Sequence, residues 1–248
     1  AHDTSVVLVE DFLGALEAGY DADHLSQAEI VIELHNESAA AKQELLSELS
    51  DFVPDDALIL TSALATSATQ AASWVRRPER VVGFGVLPPI GDGGLVELAR
   101  ALQTSEWALV QAELFWRGLG QEPLVVGDGP GLVRARTVCC VINEAVTLLM
   151  EGVATSADID KAMRLGTNYP HGPLAWADHI GLDAVLGVMT GLFAEWGDDY
   201  GAWLPRASWA AKRGRVSTPI QTSSGRNSQI CRPLPLLSNP RRLSQDLG

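Results

Sequence analysis

Cysteines and bases are scarce in this sequence, and each shortage removes a class of protein. Three cysteines occur among 248 residues, two adjacent (Cys139, Cys140) and one remote (Cys231). That spacing offers neither a disulfide framework nor a metal-ligand set, so they read as packing residues. Nor do His2, His24 and His179 show metal spacing. Bases number 18 against 31 acids, a net charge of −13, which argues against nucleic acid as a partner because phosphate contacts need basic side chains. No run approaches the roughly 20 apolar residues of a membrane span, and the first residues lack the basic and then apolar pattern of a signal peptide. The expectation is a cytoplasmic protein with no membrane contact. Glycine is scarce early on: before Gly83 there are only Gly14 and Gly19. The Gly-x-Gly-x-x-Gly loop that cradles a dinucleotide pyrophosphate therefore cannot be drawn there.

What remains is enough for a substantial core. Hydrophobic residues make up 46% of the chain, which suits one large domain or two modest ones. Short runs of strand character at 5–10, 28–34, 57–61, 81–84 and 123–126 alternate with helical patterns at 12–20, 38–52 and 104–118. Such alternation predicts a parallel sheet covered on both faces. At Asp128-Gly129-Pro130-Gly131 the pattern changes, and only helices are expected beyond it, over 132–151, 156–165, 174–179 and 183–196. From Lys212 onward the chain carries seven bases and one acid, which leaves 11 bases against 30 acids in the body. Four prolines and many Ser and Gln in that tail show no period, so it reads as disordered or weakly docked. The expected organisation is a Rossmann-like α/β domain over 1–127, a helical domain over 128–210 and a basic tail over 211–248. Trp107 and Trp116 are expected on one bulky helical face, at a core or a domain interface. Leu132, Val133, Cys139, Ile142, Val146 and Leu149 form an apolar stripe on the first late helix.

The most informative stretch runs from Arg80 to Glu97, Arg-Val-Val-Gly-Phe-Gly-Val-Leu-Pro-Pro-Ile-Gly-Asp-Gly-Gly-Leu-Val-Glu. A strand leads into a Pro-Pro bend and a Gly-rich loop, and the chain then enters a second regular element carrying one acid. Loops at the carboxyl ends of α/β strands are where such folds place chemistry. The stretch resembles Arg-Val-Ile-Gly-x-His-Phe-Phe-Asn-Pro followed by Leu-Val-Glu in the NAD-dependent L-3-hydroxyacyl-CoA dehydrogenases. Further motifs follow in family order: Ala28 to Glu33 resembles its Ala-Asp-Leu-Val-Ile-Glu strand, and Gly129-Pro130-Gly131 with Ile142-Asn143-Glu144-Ala145 its first C-terminal helix. Asp158-Ile159-Asp160 and Pro170-x-Gly172-Pro173-Leu174-Ala175 continue the match.

The resemblance implies NAD as cofactor, an acyl-CoA substrate, and a homodimer formed through the helical domain. It places the catalytic Glu at Glu97 and the catalytic His at Gly85. The substrate-orienting Ser falls on Leu64, the Asn before it on Ser62, and the Asn on the first C-terminal helix on Ala135. Glu37 and Lys42 match a pair near the nicotinamide side of NAD, and Glu10 would be the ribose-binding acid if 5–10 is the second strand of an N-terminally shortened domain. Oxidising a 3-hydroxyacyl group needs a base for the hydroxyl proton, and His suits because it titrates near neutral pH. With Gly85 in that place, the resemblance implies a dehydrogenase of impaired activity in fatty-acid metabolism. The alternative is an acyl-CoA-binding or dimerising module on the same fold. His35 and His171 are the other histidines that could serve as stray bases.

Overall fold

A computed structural model describes residues 26–87 and 94–197. The elements expected at 5–10 and 12–20, Glu10 with them, and the tail from 211 lie outside the described residues, as does Cys231. Within them the order is β1 (Ile30–Glu33), α1 (Ala39–Phe52), β2 (Leu58–Ser62), α2 (Ala68–Ser73), a 3-10 turn (Pro78–Arg80), β3 (Val81–Gly85), β4 (Leu95–Ala99), α3 (Glu106–Gly118) and β5 (Glu122–Val126). Four helices follow, α4 (Arg134–Met150), α5 (Ser156–Thr167), α6 (Pro173–Ile180) and α7 (Leu182–Trp196).

The five strands form one sheet in the order β1-β2-β3-β4-β5. It is not wholly parallel. β1, β2 and β3 run together, but β4 pairs antiparallel with β3, and β5 pairs parallel with β4. The reason is the short connection after β3: a parallel neighbour needs a crossover of a dozen or more residues, whereas a short loop can only return antiparallel. β2 and β3 are buried at every position, which is why they read as continuous apolar runs without alternation.

Helix starts follow their capping chemistry. The hydroxyls of Ser38, Ser67, Ser105 and Thr155 each accept from a backbone N–H in the first turn of α1, α2, α3 and α5. These satisfy donors that the helix itself cannot. Other caps come from afar. Asp128 accepts from the amides of Ala68 and Thr69 (2.8 and 2.7 Å), fixing α2 to the end of β5. Asp160 accepts from Leu174 and Ala175 (2.8 and 3.0 Å), fixing α6 to α5. A methyl at Gly172 would lie 2.2 Å from Asp160 Cγ, so a glycine is needed there for the carboxylate to reach.

Two corrections concern the apolar stripes. Trp116 is buried against Phe84 and Phe115, while Trp107 is 47% exposed. Nine residues apart on a helix are half a turn out of phase, so the two cannot share a face. Leu132 and Val133 precede α4: Val133 is exposed, and Leu132 packs with the sheet-side cluster around Ile59 and Val81. Cys139, Ile142 and Val146 do face the helical core. Burial pushes the Cys139 thiol up to about 12, so it packs as an inert apolar group.

The helical part sits directly on the loops that leave β1 and β2. Gly187 and Gly191 of α7 face backbone: a methyl at Gly187 would lie 2.9 Å from the Asn36 carbonyl oxygen, and one at Gly191 2.0 Å from that of Ala65. Among the described residues, no single helix is long and apolar enough to cross a membrane. Because the Ala65 backbone cannot yield cheaply, Gly191→Ala is expected to destabilise the fold by about 1–3 kcal/mol in urea unfolding. Gly166→Ala, on α5 with open space around it, serves as the control and should be neutral or stabilising by up to about 1 kcal/mol. Equal effects of the two substitutions would mean that α7 does not rest on that loop.

Candidate active site

The antiparallel pairing of β3 with β4 sets Gly85 directly opposite Glu97. Glu97 is buried, and both of its carboxylate oxygens lie 3.1 Å from the amide nitrogen of Arg134, the first residue of α4. The Val133 amide also donates to it. No side chain caps α4 from within its own sequence, so an acid from the sheet supplies the cap and meets the positive end of the helix dipole. Burial pushes the Glu97 carboxyl above the usual carboxylate range, and the two amides and the Arg134 guanidinium draw it partly back.

Gly85 leaves no side chain beside this acid. A methyl built there would be 3.6 Å from Glu97 Oε2 and 2.8 Å from Leu132 Cδ1. Leu64 and Ala135 share one buried apolar cluster with Leu87, Val138 and Leu192, across the seam between sheet and helices. Arg80, the last residue of the 3-10 turn before β3, lies at the far end of the strand and donates to the Pro54 carbonyl.

A second group of polar residues lies at the carboxyl ends of β1 and β2. Lys42 and Glu33 are both buried and form an ion pair of 2.6 Å. Lys42 Nζ also donates to the carbonyls of His35 (2.9 Å) and Ser62 (2.8 Å), which occupies all three of its donors. Thr61 Oγ1 donates to Glu33 Oε2 at 2.6 Å, and the His35 amide donates to the other oxygen. Burial pulls the Lys42 ammonium below its ordinary range, and Glu33 acts against that shift. Glu37, which with Lys42 matches the pair near the nicotinamide side of NAD, is exposed on the loop before α1. Lys42 turns inward to Glu33.

Comparison with known proteins gives the family. Residues 4–129 match the family model described as 3-hydroxyacyl-CoA dehydrogenase, NAD binding domain, and residues 131–218 match that for the C-terminal domain of the same family. The chain belongs to the 3-hydroxyacyl-CoA dehydrogenase family. Similar proteins include a probable 3-hydroxybutyryl-CoA dehydrogenase of Bacillus subtilis, 33% identical over 211 residues that cover 83% of this chain and 74% of that one. The human mitochondrial hydroxyacyl-coenzyme A dehydrogenase is 29% identical over 74% of this chain and 59% of its own length. Among solved structures, the (S)-3-hydroxybutyryl-CoA dehydrogenase PaaH1 of Ralstonia eutropha is 35% identical with a TM-score of 0.69, covering 81% of this chain and 74% of that one. FadB2 of Mycobacterium tuberculosis is 29% identical with a TM-score of 0.70, covering 78% and 69%.

Set on this 3-hydroxyacyl-CoA dehydrogenase fold, the positions named from sequence fall into two places. Gly85, Glu97, Leu64 and Ala135 gather where β3, β4 and α4 meet the helical core. Lys42 lies at the ends of β1 and β2, bonded to the Ser62 carbonyl two residues before Leu64, with Glu37 exposed on the loop before α1. Among the described residues, no histidine is bonded to Glu97. The Nε2 of His35 accepts from the Ser38 amide, and His171 stacks on His179 with ring centres 5.8 Å apart. Glu33 and Thr61 were visible only as strand residues. Their signal is an acid at a strand's carboxyl end with a lysine in the first turn of the next helix, a spacing that brings an ion pair under the intervening loop.

Two measurements follow from these groups. Lys42→Met leaves the Glu33 charge buried without its partner and should cost about 3–5 kcal/mol of stability in denaturant unfolding; a loss under about 1 kcal/mol would show the pair to be solvated. For Glu97, a value raised by folding contributes stability that is present at low pH and lost as pH climbs through the raised value. Glu97→Gln stays uncharged, so its Tm relative to the parent should rise as pH increases above about 4.5. A constant difference would contradict the raised value.

Proposed function

We infer that this chain carries the framework of an NAD-dependent 3-hydroxyacyl-CoA dehydrogenase, whose reaction oxidises L-3-hydroxyacyl-CoA to 3-oxoacyl-CoA, with that reaction impaired at its proton acceptor. The observation that carries the reading is the joint replacement of reacting groups by apolar ones in a single buried region. Gly85 beside Glu97 offers nothing that can take a hydroxyl proton. Leu64 and Ala135, where the resemblance calls for an orienting hydroxyl and amide, are packed into the helical core. Glu97 retains its place but is bonded to the start of α4, so it orients a helix rather than an imidazole.

NAD, when bound to such a fold, accepts the hydride from C3 of the substrate. Residues 4–129 match the NAD binding domain of the family, which supports NAD as the cofactor by resemblance. The ammonium of Lys42, assigned by resemblance to the nicotinamide side, has no donor left for a ligand, and Glu37 is an exposed acid. What the chain's own residues do is exclude water from the region of Glu97 and hold its carboxylate in place. Lack of a positioned base commonly lowers the rate by about 10²–10⁴.

The division into a nucleotide-binding-type part (1–127), a helical part (128–210) and a basic tail (211–248) belongs to this reading, as do a cytoplasmic setting, an acyl-CoA ligand and pairing of two copies through the helical part. The burial of Leu64 in the helical core also favours a second reading, in which the fold serves as an acyl-CoA-binding or dimerising module without turnover. Following NADH oxidation with acetoacetyl-CoA tests the first reading. The purified chain is expected to turn over at least about 100-fold below the order of 10 s⁻¹ common among enzymes, and turnover at ordinary rates would refute impairment. Titration of NADH fluorescence then separates a chain that binds without reacting from one that does not bind.

A further inference from the structure

We propose that Leu132 closes the proton-acceptor position, so that the place beside Glu97 is filled by this side chain and a base introduced at residue 85 can reach Glu97 only if Leu132 is shortened. The proposal rests on the preceding reading in one respect, that the acceptor position is the one facing Glu97.

The geometry is set by three segments. β3 ends at Gly85, opposite Glu97 on β4. The chain then returns through Gly129-Pro130-Gly131 to Leu132, whose φ of +48° is rare for a bulky residue and must be held by its surroundings. They do hold it. The Gly131 amide donates to the Ala63 carbonyl at 2.8 Å, the Leu132 amide to Gly129 at 3.1 Å, and the Arg136 amide to the Gly131 carbonyl at 3.0 Å. Two residues on, the Arg134 amide is bonded to Glu97. The backbone of Leu132 is thus pinned on both sides, and its side chain is directed to the space over Gly85.

That space is occupied. The first carbon of any side chain at 85 would lie 2.8 Å from Leu132 Cδ1, a separation that real carbon pairs do not adopt, and only 3.6 Å from the Glu97 oxygen that an imidazole would meet. Leu132 is itself buried, in the cluster of Ile59, Val81 and Ala99, so it must repack among these neighbours to admit a side chain at 85. A glycine at 85 and a leucine at 132 therefore form a complementary pair, one vacating the volume that the other fills.

The test places Gly85→Ala and Gly85→His each in the parent chain and in the Leu132→Ala background. Gly85→Ala should lower Tm clearly in the parent and much less when Leu132 is also replaced. In the Gly85→His/Leu132→Ala chain, NMR titration should find the introduced imidazole above its ordinary value of about 6.5, because it faces the Glu97 carboxylate; Gly85→His alone should show no such rise. Equal Tm losses from Gly85→Ala in both backgrounds would overturn the proposal, as would a raised imidazole in Gly85→His alone. Should Gly85→His fail to fold in the parent, the two Gly85→Ala chains still decide. NADH oxidation by the unmodified chain at ordinary rates would refute the proposed impairment, while the Tm coupling would continue to judge Leu132 by itself.

Discussion

The carboxylate of Glu97 on the first amides of α4 is the contact on which the site depends. A helix of 17 residues begins without a cap of its own, and its orphan donors would be buried at a seam where water cannot reach them. One acid from the middle of the sheet answers that need. It thereby fixes where α4 starts, which direction the Gly129–Leu132 turn must take, and how the helices lie over the strand ends. The antiparallel return of β4 is what aims this acid at the seam, since the register of β3 with β4 decides which residue faces Gly85.

The Glu33–Lys42 pair solves a related problem one strand away. The loops after β1 and β2 must turn under the helical part with their carbonyls inward, and Lys42 gathers two of those carbonyls onto one ammonium. A buried ion pair adds little to stability compared with apolar packing, but it ties down a geometry that apolar contacts leave loose. Glu33 holds the loop after β1, and Glu97 the start of α4. Both are engaged by the fold itself.

Much of this was legible in the sequence, and the misses have physical causes. The change from alternating elements to helices at residues 128–131 was plain because Gly and Pro punctuate it. The starts of α1 and α5 are marked by the hydroxyls of Ser38 and Thr155. The adjacency of Gly85 and Glu97 was implied by a motif in which a fixed number of residues separates a strand from its return, yet the direction of that return was not, because strand-helix alternation suggests parallel pairing and β4 interrupts it. Leu132 read as part of an amphipathic stripe, since periodicity cannot see a left-handed turn at its edge. Lys42 was matched to a pair near the nicotinamide side of NAD, and nothing in a run of Ala, Lys, Gln and Glu reveals that its ammonium is buried against Glu33 at a strand end. That distinction lies in the tertiary fold, where Glu33 waits beneath.

The contact of Gly191 with the Ala65 carbonyl has a mechanical meaning as well. Where two parts of a protein meet through long side chains, the rotamers act as padding and the parts can rock. Here bare backbone meets bare backbone, and Leu64 enters the helical core immediately beside it. Prising the helices from the sheet would strip that leucine of its neighbours and wet a large oily surface in one step. The seam should therefore behave as a weld rather than a hinge, and either half cut loose would face water with a sticky scar.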